Sequence, residues 1–146
     1  MTASELAHKV ITRELAFETR GELDWKDLTA QVRQLLAHAN LTDGLLTVFV
    51  AGSTGSIVTT EAESGLLQDL LRLAQEIAPR DRDYGHNQRW QDGNGHSHLR
   101  ATLFGASLSI PFSNGKLHLG TWQQIVFIEF DVRPRRRTVV VQCMGT

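Results

Sequence analysis

The chain of 146 residues predicts a single α+β domain, and three observations predict it. About seven short segments alternate or run apolar in the manner of strands, and two segments between them repeat apolar residues at helical spacing. The helical segments do not alternate one-for-one with the strands, which argues for helices packed on antiparallel sheet rather than a parallel α/β sheet. The length, at 41% hydrophobic and 21% charged residues, suits one core over residues 1–146 and leaves too little chain for two.

Residues 9–19 (KVITRELAFET) are rich in β-branched and aromatic side chains and predict the first strand. Leu28, Val32, Leu35 and Leu36 then recur at i, i+4, i+7 and i+8, the stripe of an amphipathic helix. Asp24, Asp27 or Thr29 can cap its start, and it should end near Ala39 and Asn40. Residues 45–50 form an apolar run suited to a buried strand, and residues 57–60 resume β-branched composition after a Gly/Ser turn at 52–56. Leu66, Leu70, Leu73 and Ile77 give the stripe of a second helix, widened by Leu67, Leu71 and Ala74 and ended by Pro79. Residues 79–97 show neither period and predict a long loop, of a length that is usually functional or disordered. Residues 107–112 and 116–119 flank a Ser-Asn-Gly turn and predict a hairpin, and residues 125–130 and 138–144 predict two long apolar strands.

Charge and cysteine content exclude several function classes. Lys and Arg total 15 against 16 Asp and Glu, so no chain-wide positive field draws the protein to nucleic acid or an anionic membrane. The single cysteine, Cys143, rules out an intramolecular disulfide and any multi-cysteine metal site, and fits a reducing compartment. No segment approaches the roughly 20 apolar residues of a membrane span, and the first ten residues lack a signal-peptide apolar stretch. A cytoplasmic location is the expectation, under which the Asn40-Leu41-Thr42 sequon carries no meaning.

Chemistry concentrates in residues 79–97 and just beyond. His86, His96 and His98 are half of the six histidines, and Asp83, Asp92 and Asn94 lie among them. Neutral imidazoles suit zinc-like ions, and three of them, or two with a carboxylate, leave a coordination position open. If the segment is extended, His96 and His98 share a face; if it is helical they lie about 200° apart and only one can face His86. The same residues would also serve as solvated loop histidines. Gly52-Ser-Thr-Gly55 and Gly93-Asn-Gly95 can make anion-binding amide nests or ordinary turns, and neither matches a phosphate-loop or dinucleotide motif. Arg133, Arg135, Arg136 and Arg137 can clamp phosphate or line a solvated strand entry. Glu61 and Glu63 follow a strand as candidate acid/base groups or helix-start acids, and Trp122 with Gln123 can line a planar pocket or pack in a core or interface.

Read in order, these segments resemble a known family. Tyr84-Gly-His86, Asp92-Gly-Asn-Gly-His-Ser-His-Leu-Arg100, Leu103-Phe-Gly-Ala-Ser-Leu108, Leu119-Gly-Thr-Trp-Gln123 and Glu129-Phe-Asp131 are similar to the YjbQ-like family, also called UPF0047, over essentially the whole chain. The resemblance implies a β-sandwich of two sheets with two or three flanking helices, and three subunits around a threefold axis. It also implies a secondary thiamine-phosphate synthase activity, joining hydroxymethylpyrimidine diphosphate to thiazole phosphate. His86, His98, Glu61 and Asp92 match the family's candidate catalytic positions, Asp69 an acid in the second helix, and Trp122 and Gln123 its Gly-Thr-Trp-Gln segment. Ala51-Gly-Ser-Thr54 departs from a histidine-bearing segment found in many members, so His96 stands with His86 and His98 as a third metal ligand. Arg100, Arg135, Trp122 and Gln123 are expected to hold a small phosphorylated ligand, beside a divalent ion, Zn or Mg. Two other readings stay open: a metal-dependent hydrolase, and a non-catalytic homotrimer that binds a small molecule.

Overall fold

In the computed structural model, which describes residues 7–146, the elements follow in the order β1 (Lys9–Glu18), β2 (Trp25–Asp27), α1 (Thr29–Ala39), β3 (Gly44–Val50), β4 (Gly55–Thr60), α2 (Ser64–Ile77), α3 (Gly85–Trp90), α4 (Gly95–Phe104), β5 (Ser107–Ser113), β6 (Lys116–Leu117), β7 (Gln124–Glu129) and β8 (Arg136–Gly145). Every pairing is antiparallel. A five-stranded sheet runs β1-β8-β3-β5-β6 and a three-stranded sheet β2-β7-β4. The α+β class predicted from the sequence is the class observed.

The layering follows from side-chain parity. Leu46, Val48, Val50, Ile110, Phe112, Val139, Val141 and Cys143 project from one face of the large sheet onto α1, through Val32 and Leu36, and onto Ile57, Ile125 and Phe127 of the small sheet. Val126 and Ile128, of opposite parity on β7, face the other way with Phe130 and meet Leu67, Ala74 and Ala101 of α2 and α4. A strand covered on both faces reads as an unbroken apolar run, which is why residues 125–130 do not alternate. On the uncovered face of the large sheet, Val10, Leu45, Phe49 and Met144 are exposed.

Local chemistry fixes the boundaries. Asp27 Oδ1 accepts hydrogen bonds from the Thr29 amide at 3.0 Å and its hydroxyl at 2.6 Å, and that hydroxyl accepts from the Ile125 amide, tying the start of α1 to β7. Asn40 ends α1 in the left-handed conformation, φ 54°. Glu63 accepts from the Gly65 and Leu66 amides at the start of α2, and these bonds hold its carboxyl below the ordinary 4.5. Asn114 and Gly115, at φ 51° and 71°, make the two-residue turn between β5 and β6.

Four expectations need correction. Residues 79–97 are not one loop, because they contain α3 and the first turn of α4. That helix hides from pattern reading because its buried residues include His96, Ser97 and Arg100, so a polar face is turned inward. In α2 the core-facing stripe is Leu67, Leu70, Leu71 and Ala74, while Leu66, Leu73 and Ile77 remain exposed. The short β2 is an eighth strand, and α3 and α4 bring the helices to four. Finally, β3 and β4 flank a Gly/Ser turn but belong to different sheets, so residues 51–54 form a crossover between them. No described helix is long and apolar enough to cross a membrane.

Candidate functional site

Helix α4 carries its two histidines on opposite sides, as a 200° separation requires. On one side His96 is 0% exposed, with Nε2 3.0 Å from Glu22 Oε1. The Arg100 side chain, 1% exposed, donates from Nη1 to the same oxygen at 2.9 Å and from Nε to the Ala78 carbonyl at 3.0 Å. Arg80 reaches Glu22 Oε2 at 2.9 Å. Burial is the largest influence on His96 and holds its pKa below the ordinary 6.5; Glu22 opposes that shift, and Arg100 and Arg80 add to it. A neutral imidazole donating Nε2–H to Glu22 satisfies this arrangement, with buried Nδ1 left unpaired.

On the other side, His98 lines a cavity of about 240 Å³ with Gly52, Ser53, Gly55, Ala101, Thr102, Gly105 and Ala106. Its ring stacks on that of His86, centroids 4.5 Å apart and planes inclined by 41°. His86 Nδ1 lies 3.2 Å from Asp92 Oδ1, off hydrogen-bond alignment. The Asn94 amide nitrogen, oriented by its neighbours, donates to both Asp92 oxygens at 3.0 and 3.1 Å.

Below the cavity floor runs a ladder of charges and hydroxyls. Glu129, fully buried, accepts from Arg137 Nε at 2.7 Å and from Arg137 Nη2. Arg137 Nη2 also donates to the Thr54 hydroxyl at 2.8 Å, which donates to Asp131 Oδ2 at 3.2 Å. Arg135 Nε reaches the same Asp131 oxygen at 3.0 Å. Burial pushes the Asp131 carboxyl up, and the Val132 amide, Arg135 and Thr54 outweigh it, leaving the carboxyl below the ordinary 3.8.

The expected site residues therefore fall into three places. His86, His98 and Asp92 come together at the cavity, and Arg135 lies on the ladder beside Thr54. Arg100 and His96 belong to the Glu22 network on the far side of α4. Glu61, Trp122 and Gln123 sit at the other end of the small sheet. Gly55 is opposite Glu129 at the cavity end and Thr60 opposite Gln124 at the other, a separation of about 17 Å at the rise of a strand. There Gln123 accepts from the Gly120 amide and donates to Thr59 Oγ1, while Trp122 is 72% exposed. Asp69 pairs with Arg72 on the surface of α2. Among the described residues no three His, Cys, Asp or Glu side chains gather as a metal-binding group, and His96 faces Glu22, so the expected set of His86, His98 and His96 does not form.

Sequence reading named Asn94 beside Asp92 and Thr54 within a candidate anion nest, and missed the joining of Thr54 to Asp131 and Arg137. Thr54 is 77 residues from Asp131 and 83 from Arg137, and no local pattern signals pairings across that distance. The one available signal was the pair of glycines at 52 and 55, open to reading as ordinary turn residues.

Comparison with known proteins bears on the family and the fold. The model of the family described as UPF0047 protein YjbQ-like matches residues 13–146. A UPF0047 protein of Methanothermobacter thermautotrophicus is 40% identical over 137 residues, covering 94% of both chains. UPF0047 protein YugU of Bacillus subtilis is 32% identical over 134 residues, 91% of this chain and 98% of that one. The crystal structure of a YbjQ-like protein of unknown function from Sulfolobus solfataricus superposes with a TM-score of 0.92 at 35% identity, covering 96% of this chain and all of that one. With matching sequence motifs, a matching family model and a matching fold over nearly every residue, the chain belongs to the YjbQ-like UPF0047 family.

Proposed function

We propose that the protein acts on a small phosphorylated ligand in the cavity between the 51–54 crossover and α4, with His98 as the proton-transfer group. One observation carries this reading. His98 lies on the wall of an open cavity with no hydrogen-bond partner for its ring among the described residues, while His86, beside Asp92, supports it from behind. A ring held by stacking and left free at its nitrogens can give or take a proton from a ligand within reach.

The thiamine-phosphate synthase reaction is the specific chemistry we assign for testing, since the ligands it joins are phosphorylated. Diphosphate departure in that reaction calls for charge on the leaving group, which Arg135 and Arg137 can supply. Among the described residues no three-donor group forms, a donor set that does not fit a zinc-like ion, and no step here runs through a metal. The homotrimer belongs to the same reading, because assembly would cover apolar residues such as Val10, Leu45, Phe49 and Met144; light scattering should then report three chain masses.

The test incubates the protein with hydroxymethylpyrimidine diphosphate and thiazole phosphate, and with single phosphate esters, following products by mass spectrometry. Turnover should fall about 10²-fold or more in His98→Ala with the fold retained, the range expected for a lost acid/base group. Turnover unchanged in His98→Ala, or none with any phosphorylated compound, overturns the reading.

A further inference from the structure

We infer that the crossover Gly52-Ser53-Thr54-Gly55 is a phosphoryl-binding subsite, in which the Ser53 and Thr54 amides and Arg137 Nη1 hold a tetrahedral oxyanion facing His98. The inference rests on the reading above that the cavity takes a phosphorylated ligand, and it names the groups that recognise it.

The first observation is a pair of unanswered backbone donors. The chain leaves the large sheet after Val50 and enters the small sheet at Gly55, so the intervening amides belong to neither ladder. Ala51 N–H still finds the Thr138 carbonyl and Gly52 N–H the Val50 carbonyl, but among the described residues the Ser53 and Thr54 amides have no acceptor. Thr54 is only 2% exposed, which makes its unpaired amide expensive unless something else accepts from it. Ser53 lines the cavity and Thr54 follows it, so two successive free amides adjoin the cavity as donors that an oxyanion can use.

The second observation is independent and concerns a side chain. Arg137 is 6% exposed, and its Nε and Nη2 are committed to Glu129 and Thr54. Its guanidinium carbon lies 5.8 Å from the centre of the Phe127 ring, which restricts it further. Nη1 has no acceptor among the described residues. Gly52 lines the cavity, and a Cβ placed there would stand 2.9 Å from Nη1, so the missing side chain is what leaves this nitrogen uncovered. Gly55 repeats the pattern, since a Cβ there would meet the Phe127 ring at 2.7 Å and the Arg137 guanidinium carbon at 3.6 Å. Neither glycine has positive φ, so both are present for close approach and not for a turn that only glycine can make.

Electrostatics permit the anion. Of the three nearby carboxylates, Glu129 is covered by Arg137, the Thr19 hydroxyl and the Asp131 amide, Asp131 by the Val132 amide, Thr54 and Arg135, and Asp92 by the Asn94 amide beside His86. Arg135 and Arg137 balance Asp131 and Glu129, so what the subsite offers an incoming oxyanion is its open donors. The 240 Å³ volume accommodates a phosphoryl group with a small organic part, opposite the one imidazole on the cavity wall.

The test is a titration of the full chain with inorganic phosphate, followed by amide chemical shifts, with sodium sulfate and sodium chloride at matched ionic strength as separate arms. Saturable shifts at Ser53 and Thr54 with phosphate are expected, and none with chloride. An equal response to sulfate identifies a general tetrahedral-oxyanion site, and a weaker one a phosphate-selective site; both support the inference. Gly52→Ala should weaken phosphate binding about tenfold, the loss of one charge-assisted hydrogen bond. Arg137→Lys serves as the second variant, checked for folding by dichroism, and should weaken binding at least as much as Gly52→Ala. Phosphate shifts confined to other residues, or unaffected by both substitutions, overturn the inference even if His98-dependent turnover is found. Saturable binding at the loop without any turnover keeps the subsite and removes the catalytic reading.

Discussion

The two sides of α4 use the same residue types to opposite ends. Toward Glu22, a histidine and two arginines surround one carboxylate, and the histidine and Arg100 are closed off from solvent. Toward the crossover, two histidines and two arginines stand near three carboxylates, and His98, Arg137 Nη1 and two amides are left with donors or acceptors to offer a ligand. Identity of side chain therefore does not separate structure from function here; access to the cavity does. The unpaired Nδ1 of His96 is sealed inside a cluster whose charges answer one another and fix the helix, whereas the groups left unanswered on the other side open onto a cavity and are ready to bind.

The largest effect should come from the closed side. Glu22→Ala strands the buried Arg100 guanidinium and removes the partner of His96, and breaking a buried pair in this way costs about 3–5 kcal/mol. Urea denaturation monitored by dichroism checks it. A loss under about 1 kcal/mol would mean that water reaches Arg100 and that the two sides differ less than their geometry says.

A pH effect on the same side comes next. His96 in the folded protein has a pKa below 6.5, whereas the unfolded chain protonates it near 6.5. Below that pH the unfolded state binds the extra proton, so stability is full above it and falls as pH drops through 6.5, by at most about 1.4 kcal/mol per pH unit for one proton. The fall levels off once the folded protein also takes the proton. Asp24 and Asp131, with folded values below 3.8, lose their contribution only as pH falls further. Urea titrations from pH 6.5 downward, above the range in which Asp24 and Asp131 protonate, should show a slope that His96→Gln removes; a slope unchanged in that variant assigns it to another group.

The sequence revealed the two sides unequally. Strands such as residues 125–130 announce themselves because apolar burial leaves a local pattern, and the end of α1 because Asn40 is a residue that tolerates φ 54°. The first half of α4 does not, since His96, Ser97 and Arg100 are polar and buried, and hydropathy reads polar as exposed. The helical alternative for His96 and His98 was nevertheless readable from spacing alone, and the structure adopts it. For the site, His86, His98 and Asp92 could be grouped because they are close in sequence. Thr54, Asp131 and Arg137 could not, because strand ends from both sheets bring them together. Arg100, read as a phosphate ligand, could not be told from a buried partner of Glu22 without knowing that residue 22 returns to α4.

A smaller effect belongs to the open side. His98→Ala removes a ring that stacks on His86 but makes no hydrogen bond among the described residues. Stability should change by about 0.5–1 kcal/mol, mostly lost stacking. A loss approaching that of Glu22→Ala in the same urea assay would place His98 among the structural groups.

The smallest effect should be at the far end of the small sheet. The 120–123 turn is braced by Gln123 to Gly120 and Thr59, and by Gln124 to Thr121, so its conformation does not depend on the Trp122 ring, which is 72% exposed. Trp122→Ala should change stability by less than about 0.5 kcal/mol, as exposed positions do. With about 17 Å of strand between this turn and Gly55, phosphate binding at the crossover should also be unaltered if each chain holds its own site. Loss of that binding with stability intact would have one structural explanation, that the indole of one subunit closes the cavity of another. Mixing His98→Ala and Trp122→Ala chains would then restore turnover in the mixture, because some sites would draw an intact histidine from one chain and an intact indole from the other.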